Sequence, residues 1–173
     1  MAGHPNAFSL LQLPERFALD TQTIEQAWRR VIALVHPDRF AGKSAAERRV
    51  AEQWAGRINE AKDALLDPVA RGTLLIAARG VDVNAETDTR MPADFLLEQM
   101  RWREALEQAT DADSLNALAA EVEAARNALL EELTEAIDRT GDANKARLAL
   151  RRLMFVEKMR AQLKSAQGAR PIL

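Results

Sequence analysis

The sequence predicts an all-α protein of two domains, in which an antiparallel helical hairpin with short flanking helices precedes a three-helix bundle. Ala, Leu, Glu and Arg dominate the 173 residues, whereas Gly and Pro number only 7 and 6, and this composition favours helix. No stretch alternates apolar and polar residues with period two, so we expect no sheet. Apolar residues recur instead every three or four positions, as amphipathic helices require.

The first helices are expected within residues 1–79. Residues 8–14 form a short helical turn that Pro14 stops, because proline cannot continue a helix. Asp20 or Thr21 can cap the next helix. Its apolar face is predicted by residues at i, i+4 and i+7 spacing, namely Ile24, Trp28, Val31 and Val35. Arg29 and Arg30 fall on the opposite face, which we expect to be in solvent.

The second helix of the hairpin begins at Ser44-x-x-Glu47, the pattern of a capping box. Its apolar stripe is expected to face the preceding helix and comprises Val50, Trp54, Ile58, Ala61 and Leu65. Asp67-Pro68 ends this helix and begins another over residues 69–79, which Gly80 terminates. Two antiparallel helices joined by a short loop are therefore the predicted centre of the first domain.

The loop between those two helices carries the tripeptide His36-Pro37-Asp38. Proline pushes the residue before it out of the α region, so the helix must end near His36. The loop can then present an imidazole, a ring and a carboxylate to a partner. Basic residues flank it, namely Arg29, Arg30, Arg39, Lys43, Arg48 and Arg49. Such charge fits a solvated helix face, a nucleic-acid surface or a surface that meets an acidic protein.

Several kinds of chemistry are excluded or disfavoured. The chain has no Cys, which excludes disulfides, thiolate catalysis and Cys-based zinc sites. The only other His is His4, and neither a Gly-rich phosphate loop nor G-x-S-x-G is present. We therefore expect no enzyme activity, no metal and no cofactor. A net charge of −2 and nearby Glu residues argue against nucleic-acid or membrane partners. The lack of a signal-peptide or transmembrane run predicts a cytoplasmic protein.

A domain boundary is predicted at residues 80–92, which are polar, non-periodic and closed by Pro92. The predicted domains are thus residues 1–79 and 93–173, joined by this segment. Helical runs follow at residues 93–109, 113–139 and 143–167, and Thr140-Gly141-Asp142 breaks the last two apart. Short connections between three helices predict an antiparallel bundle.

The helix at residues 93–109 has more apolar residues than one core face needs. At about 100° per residue, one side carries Phe95, Trp102, Leu106 and Ala109. The other side carries Leu96, Leu97 and Met100, with Glu104 among them. The last helix also shows two stripes, one with Leu148, Phe155, Met159 and Leu163 and one with Leu150, Leu153 and Met154. A surplus stripe fits a protein-binding surface, packing on the first domain or a thicker bundle core.

Longer motifs sharpen these expectations. The runs F-S-L-L-Q-L-P, L-V-H-P-D-R-F and I-N-E-A-x-x-A-L-L-D-P-x-x-R, at residues 8–14, 34–40 and 58–71, resemble a J domain. The remainder resembles one branch of J proteins, the HscB co-chaperones of iron–sulfur cluster assembly. This likeness rests on F-L-L-E-Q-M-R-W-R-E at residues 95–104 and on R-L-M-F-V-E-K at residues 152–158.

The resemblance implies a mechanism that is not enzymatic in this chain. A J domain docks on a DnaK-type ATPase chaperone, here HscA-like, and stimulates ATP hydrolysis by that partner. The chaperone-binding residues implied are His36, Pro37, Asp38, Arg29, Arg30 and Arg39. The bundle would bind the iron–sulfur scaffold protein, here IscU-like, through Leu96, Leu97, Met100, Glu104 and Phe155. The alternatives are a general J-domain co-chaperone with another client, and a structural or nucleic-acid-binding helical protein with a chance motif.

Three residues depart from the family pattern. Val35 stands where J domains often carry Tyr before the His-Pro-Asp tripeptide. Arg101 and Gln108 occupy positions where related proteins often carry acidic residues. We therefore expect the polar rim of the scaffold contact to differ from that of relatives.

Overall fold

The computed structural model describes residues 5–84 and 91–168. These ranges contain seven α-helices and no strand, which confirms the predicted all-α class. The chain divides into two compact units, Met1–Leu75 and Ile76–Leu173. The division falls before the junction predicted at residues 80–92, and the assignment of residues 1–79 to a J domain stays a prediction.

The first unit contains a helical hairpin with short helices on either side. Its helices are α1 (Ala7–Leu10), α2 (Thr21–Ile32), α3 (Ala45–Leu66) and α4 (Pro68–Ala77), the last of which runs into the second unit. The predicted caps are confirmed. Asp20 accepts a hydrogen bond from the Thr23 N–H, and this bond lowers the pKa of the Asp20 carboxyl. Ser44 and Glu47 form the capping box at the start of α3.

Fewer residues of the predicted α3 stripe are buried in the hairpin core than we expected. Ile58 and Leu65 are buried as expected, but Val50 is 52% and Trp54 is 39% exposed, so their assignment to the core was wrong. Residues spaced by four drift about 40° per step around a helix, which turns Val50 about 80° away from Ile58. Ala51 lies within about 20° of Ile58 and is buried instead.

A buried arginine fastens the short N-terminal segment to the hairpin. Arg71 is 7% exposed and donates from Nε to the Phe17 carbonyl at 2.8 Å and from Nη1 to the Leu65 carbonyl at 2.5 Å. Its guanidinium also lies 4.8 Å from the centre of the Phe17 ring. The charge is thus buried together with acceptors, as a buried cation must be.

The second unit is a three-helix bundle, as predicted. It consists of α5 (Ala93–Gln108), α6 (Ala112–Thr134) and α7 (Ala143–Gly168). A π-helical turn, Glu135–Arg139, extends α6, and Gly141 then reverses the chain with a φ of +68°. The largest fully buried side chains include Trp102, Leu115, Leu133, Ile137, Leu150, Leu153 and Met159.

Val83, within the predicted junction, is buried, and Arg79, just before the junction, is hydrogen-bonded. Arg79 donates to the Ile137 carbonyl at 2.7 Å, and both residues belong to the unit that begins at Ile76. Val83 is only 2% exposed. Residues 85–90 of the junction lie outside the described residues.

The described ranges contain neither a candidate membrane-spanning helix nor a candidate metal site. None of their helices is both long enough and apolar enough to cross a membrane. The same ranges hold no cluster of three or more His, Asp or Glu side chains positioned to bind a metal ion, and His4 lies outside them.

Candidate functional site

The segment between α2 and α3 is a succession of tight turns rather than an open loop. A 3₁₀ turn, Ala33–Val35, follows α2, and a second one, Pro37–Arg39, follows His36. His36 has φ −59° and ψ 138°, the extended conformation that a following proline imposes. The N–H groups of Arg39 and Phe40 donate to the carbonyls of His36 and Pro37, each at 3.0 Å. Local backbone bonds therefore hold the tripeptide in one shape.

His36 and Asp38 lie side by side at the surface of this turn. Their side chains are 56% and 93% exposed, and His36 Nδ1 is 3.5 Å from Asp38 Oδ2. The Asp38 backbone N–H donates to His36 Nδ1 at 3.3 Å. The Asp38 carboxylate thus remains accessible to a cationic partner, with which a charge-assisted hydrogen bond would be strongest.

The basic residues predicted to accompany the turn share its surface. Arg29 and Arg30 are exposed in the last turn of α2, and Arg39 is exposed in the Pro37–Arg39 turn. The helix that carries the first two is anchored by Trp28. The Trp28 indole N–H donates to Asn59 Oδ1 at 2.9 Å, and Lys62 Nζ lies 3.9 Å from its ring centre. These contacts to α3 fix the orientation of the basic face.

An apolar groove adjoins the turn and accounts for the exposure of the two apolar residues Val50 and Trp54 on α3. Its volume is about 330 Å³, and its walls include Val35, Phe40, Val50 and Trp54. Val50 and Trp54 are therefore surface residues of a groove rather than members of the core. Val35, one of the departures from the family pattern, is half-buried at its edge.

The α5 stripe, which we define as Leu96, Leu97 and Met100, lies in solvent. These side chains are 46%, 66% and 67% exposed, whereas Phe95 and Trp102 on the other face are 6% and 1% exposed. The two faces predicted from the helical period are confirmed. The stripe is a surface of the second unit and is not part of the bundle core.

Polar residues extend the α5 stripe at one end. Glu104 is exposed and accepts a hydrogen bond from Gln108 Nε2 at 3.1 Å. Gln108 is one of the departures from the family pattern. Where an acidic residue would repel the Glu104 carboxylate, the amide donates to it.

Phe155 occupies a different place from the other four residues of this predicted surface. It lies on α7, is half-buried, and stacks on Trp102 with ring centres 6.0 Å apart and an interplanar angle of 11°. Its edge-to-face contact with Phe95 spans 5.8 Å at 89°. Phe155 therefore packs on the buried face of α5. Both predicted stripes of α7 are largely core, because Met159 and Leu163 of the Phe155 stripe and Leu150 and Leu153 of the other are all buried.

Arg101, the remaining departure, is engaged within the bundle. It donates to the Glu121 carboxylate of α6, with one of the two bonds at 3.3 Å. This hydrogen bond is the largest cause that lowers the pKa of the Glu121 carboxyl, and Glu121 raises the pKa of Arg101 in turn. Arg101 thus ties α5 to α6 and does not stand as a free cation beside the α5 stripe.

Comparisons with known proteins identify the family of this chain. Residues 91–164 match the family model described as "HSCB C-terminal oligomerisation domain". The "Co-chaperone protein HscB homolog" of Bordetella pertussis is 51% identical over 161 residues, which cover 92% of this chain and 95% of that relative. The chain belongs to the HscB co-chaperone family. A Burkholderia mallei protein of the same description is 48% identical over 159 residues, 90% of each chain.

Solved structures of HscB proteins have the same fold. Chaperone HscB from Vibrio cholerae matches with a TM-score of 0.81 and 30% identity over 94% of this chain and 98% of that one. The human co-chaperone HscB superposes with a TM-score of 0.87 and covers 96% of this chain and 84% of that chain. At 24% identity, the human protein supports the fold alone.

Sequence reasoning missed three residues that hold the first unit together beneath the His36-Pro37-Asp38 turn and its basic face. Asn59 and Lys62 hold Trp28, and Arg71 fastens the N-terminal segment. Asn59 and Arg71 lie within the motif I-N-E-A-x-x-A-L-L-D-P-x-x-R, so the signal was present without a role attached to each position. Lys62 occupies a variable position of that motif, and only the structure brings it to the Trp28 ring.

Proposed function

We propose that this HscB-family co-chaperone stimulates the ATPase of a specialised DnaK-type chaperone, HscA-like, in the cytoplasm. We further propose that it delivers to that chaperone the scaffold protein, IscU-like, on which iron–sulfur clusters are built. ATP hydrolysis belongs to the partner, so the chain acts as an activator and not as an enzyme. The observation that carries the proposal is the coexistence of an exposed, bonded His36-Pro37-Asp38 turn and an exposed apolar stripe on a separate unit.

The turn has the properties required for docking on a charged partner. Its backbone is already fixed by proline and by local hydrogen bonds, so little conformational entropy is lost on binding. Asp38 offers a carboxylate to an arginine of the chaperone, and Arg29, Arg30 and Arg39 steer an acidic surface toward it. The proposed chaperone site therefore comprises the tripeptide and these three arginines.

The α5 stripe has the properties expected of a client surface. Three apolar side chains on one helix remain in solvent although their bundle has a complete core. A helix face of this kind fits an apolar patch on a folded partner, with Glu104 at its polar end. We propose Leu96, Leu97, Met100 and Glu104 as direct contacts. Phe155 is half-buried and packs on Phe95 and Trp102, and we propose it as a further member of the scaffold site.

Separate loss of the two activities tests the proposal. The purified chain, a DnaK-type chaperone and the iron–sulfur scaffold protein are combined, and ATP turnover and scaffold binding are measured independently. His36→Gln is expected to reduce ATPase stimulation at least about ten-fold and leave scaffold binding unchanged. Joint Leu96→Ala, Leu97→Ala and Met100→Ala substitution is expected to weaken scaffold binding about ten- to a hundred-fold and spare scaffold-free stimulation.

Controls separate this proposal from its main alternative. Asn127→Ala, at an exposed position of α6, serves as the matched control and should change neither activity. Full ATPase stimulation by His36→Gln would refute the docking role of the turn. A general J-domain co-chaperone would stimulate the ATPase normally yet show no scaffold binding by the unaltered chain, and the substitutions in the α5 stripe would then have no effect to measure.

A further inference from the structure

The two ring nitrogens of His36 have different surroundings. Nδ1 lies 3.3 Å from the Asp38 backbone nitrogen, whose N–H is directed at it. A neutral imidazole has one nitrogen that donates and one that accepts. Because Nδ1 accepts from a backbone N–H, the proton of the neutral ring resides on Nε2. The 3.3 Å geometry is therefore the one expected for the tautomer of His36 that carries its proton on Nε2.

This contact is a side-chain cap of the kind usually supplied by Asn, Asp or Ser. His36 precedes the Pro37–Arg39 turn, and its side chain accepts from the N–H of the second residue of that turn, Asp38. Asn and Asp at the same position of a turn accept from the N–H two residues on. In His36, the Nδ1 lone pair takes the place of that side-chain oxygen.

The capped N–H belongs to Asp38, whose carboxylate is the acidic group offered by the proposed docking turn. That side chain is 93% exposed, and its Oδ2 also lies 3.5 Å from the same Nδ1. The imidazole thus adds, to the backbone bonds made by Arg39 and Phe40, a further contact that restricts the Asp38 backbone from which the carboxylate projects. Without the cap, the Asp38 N–H would hydrogen-bond to water instead, and the backbone dihedral angles of Asp38 would be less restricted.

We infer that His36 is a positioning residue, whose Nδ1 caps the turn and orders Asp38 while the Nε2–H is left to face the partner. The inference rests on the proposed function, since it assigns a role to one residue of the proposed chaperone site. It predicts that the two nitrogens can be separated by substitution.

Asn and Gln imitate different halves of the imidazole. The Asn side-chain oxygen is as many bonds from Cα as Nδ1, so His36→Asn can preserve the cap. The Gln amide is as many bonds from Cα as Nε2, so His36→Gln can preserve the outer donor and loses the cap. Both are neutral, which makes the pair a matched comparison.

Nuclear magnetic resonance tests the hydrogen bond without any partner. In the unaltered chain at pH 8, ¹H–¹⁵N spectra of the imidazole should show Nδ1 unprotonated and Nε2 protonated. Exchange of the Asp38 amide proton should be about five-fold faster in His36→Gln and His36→Ala than in the unaltered chain, and largely restored in His36→Asn. A proton on Nδ1, or equal exchange in all four proteins, would overturn the inference.

The ATPase assay with a DnaK-type chaperone tests the consequence for docking. His36→Asn is expected to retain stimulation within about five-fold of the unaltered chain, whereas His36→Gln falls to the level of His36→Ala. If His36→Gln stimulated the ATPase as strongly as His36→Asn, the positioning role of His36 would be overturned. If the unaltered chain stimulates no DnaK-type chaperone, the proposed function fails, and the spectra still decide the Nδ1 cap.

Discussion

The Pro37–Arg39 turn and the α5 stripe both leave key side chains in solvent, yet their supports differ. The turn is held by backbone bonds within a few residues and by the His36 cap. The stripe is carried by a long helix whose opposite face is locked through Phe95 and Trp102 into an aromatic cluster. A substitution in the turn should therefore change the turn without unfolding its unit. A substitution in the bundle core should also disturb the α5 stripe, because the core holds α5 in place.

Trp102→Ala should have the largest effect and should affect the two regions most unequally, because it removes the largest fully buried side chain of α5. Trp102 is 1% exposed and stacks on Phe155, so we expect the free energy of unfolding to fall by about 3–5 kcal/mol. Urea unfolding followed by circular dichroism measures this loss. Scaffold binding should weaken as well, since the α5 stripe loses its rigid support.

Met100→Ala is the matched control on the same helix. Met100 is 67% exposed, and its truncation should change the free energy of unfolding by no more than about 0.5 kcal/mol. Equal destabilisation by the two substitutions would mean that the two faces of α5 are not separated as the structure describes.

The same two regions show how far sequence reasoning reaches. The helical period correctly assigned Phe95 and Trp102 to one face of α5 and Leu96, Leu97 and Met100 to the other, because this helix packs along one stripe. It failed for Val50 and Trp54, where a stripe with spacing of four drifts around α3 before Ile58 reaches the core. Periodicity identifies a face but cannot say where along a helix the neighbouring element ends.

Contacts between distant residues were beyond the sequence in both regions. The capping box at Ser44 was predicted because its partners are three residues apart. The pairing of Arg101 with Glu121 and the donation of Trp28 to Asn59 join residues 20 and 31 positions apart. The geometry of these contacts depends on how the helices pack. From the sequence, Arg101 was interpreted as a departure at the polar rim of the scaffold contact, whereas the structure shows that it joins α5 to α6.

Ionic strength should affect chaperone association and scaffold binding differently, because the two surfaces are proposed to bind through different forces. Arg29, Arg30 and Arg39 are exposed, so joint Arg29→Gln and Arg30→Gln should slow chaperone association about ten-fold at low ionic strength. The difference should shrink as salt is raised. Scaffold binding through the apolar α5 stripe should change little over the same range, as stopped-flow and calorimetric titration would show.

Arg139→Gln provides the control for general charge loss. Arg139 is 72% exposed in the second unit, where it pairs with Glu135 at 2.9 Å. Its removal should leave chaperone association unchanged at every salt concentration. An equal effect from Arg139→Gln would show that net charge, and not the basic face of α2, drives association.

The smallest effect concerns the Arg101–Glu121 tie between α5 and α6. Since the Glu121 pKa is lowered in the folded state, its stabilisation is present above the pKa of an unfolded glutamate, about 4.3. It is lost as pH falls through the lower folded value. Glu121 is 44% exposed and therefore partly screened, so Glu121→Gln should cost only about 0.5 kcal/mol at pH 7.

Urea unfolding from pH 7 to pH 3 measures the Glu121 contribution directly. The difference between the unaltered chain and Glu121→Gln should be constant near neutrality and vanish in acid, because the protonated glutamic acid no longer attracts Arg101. Glu131→Gln, at an exposed position of the same helix, is the control and should show no such convergence. A difference that grew in acid would reverse the sign of the linkage. If Glu121→Gln lowered the free energy of unfolding as much as Trp102→Ala, the Arg101–Glu121 pair would be a main support of α5.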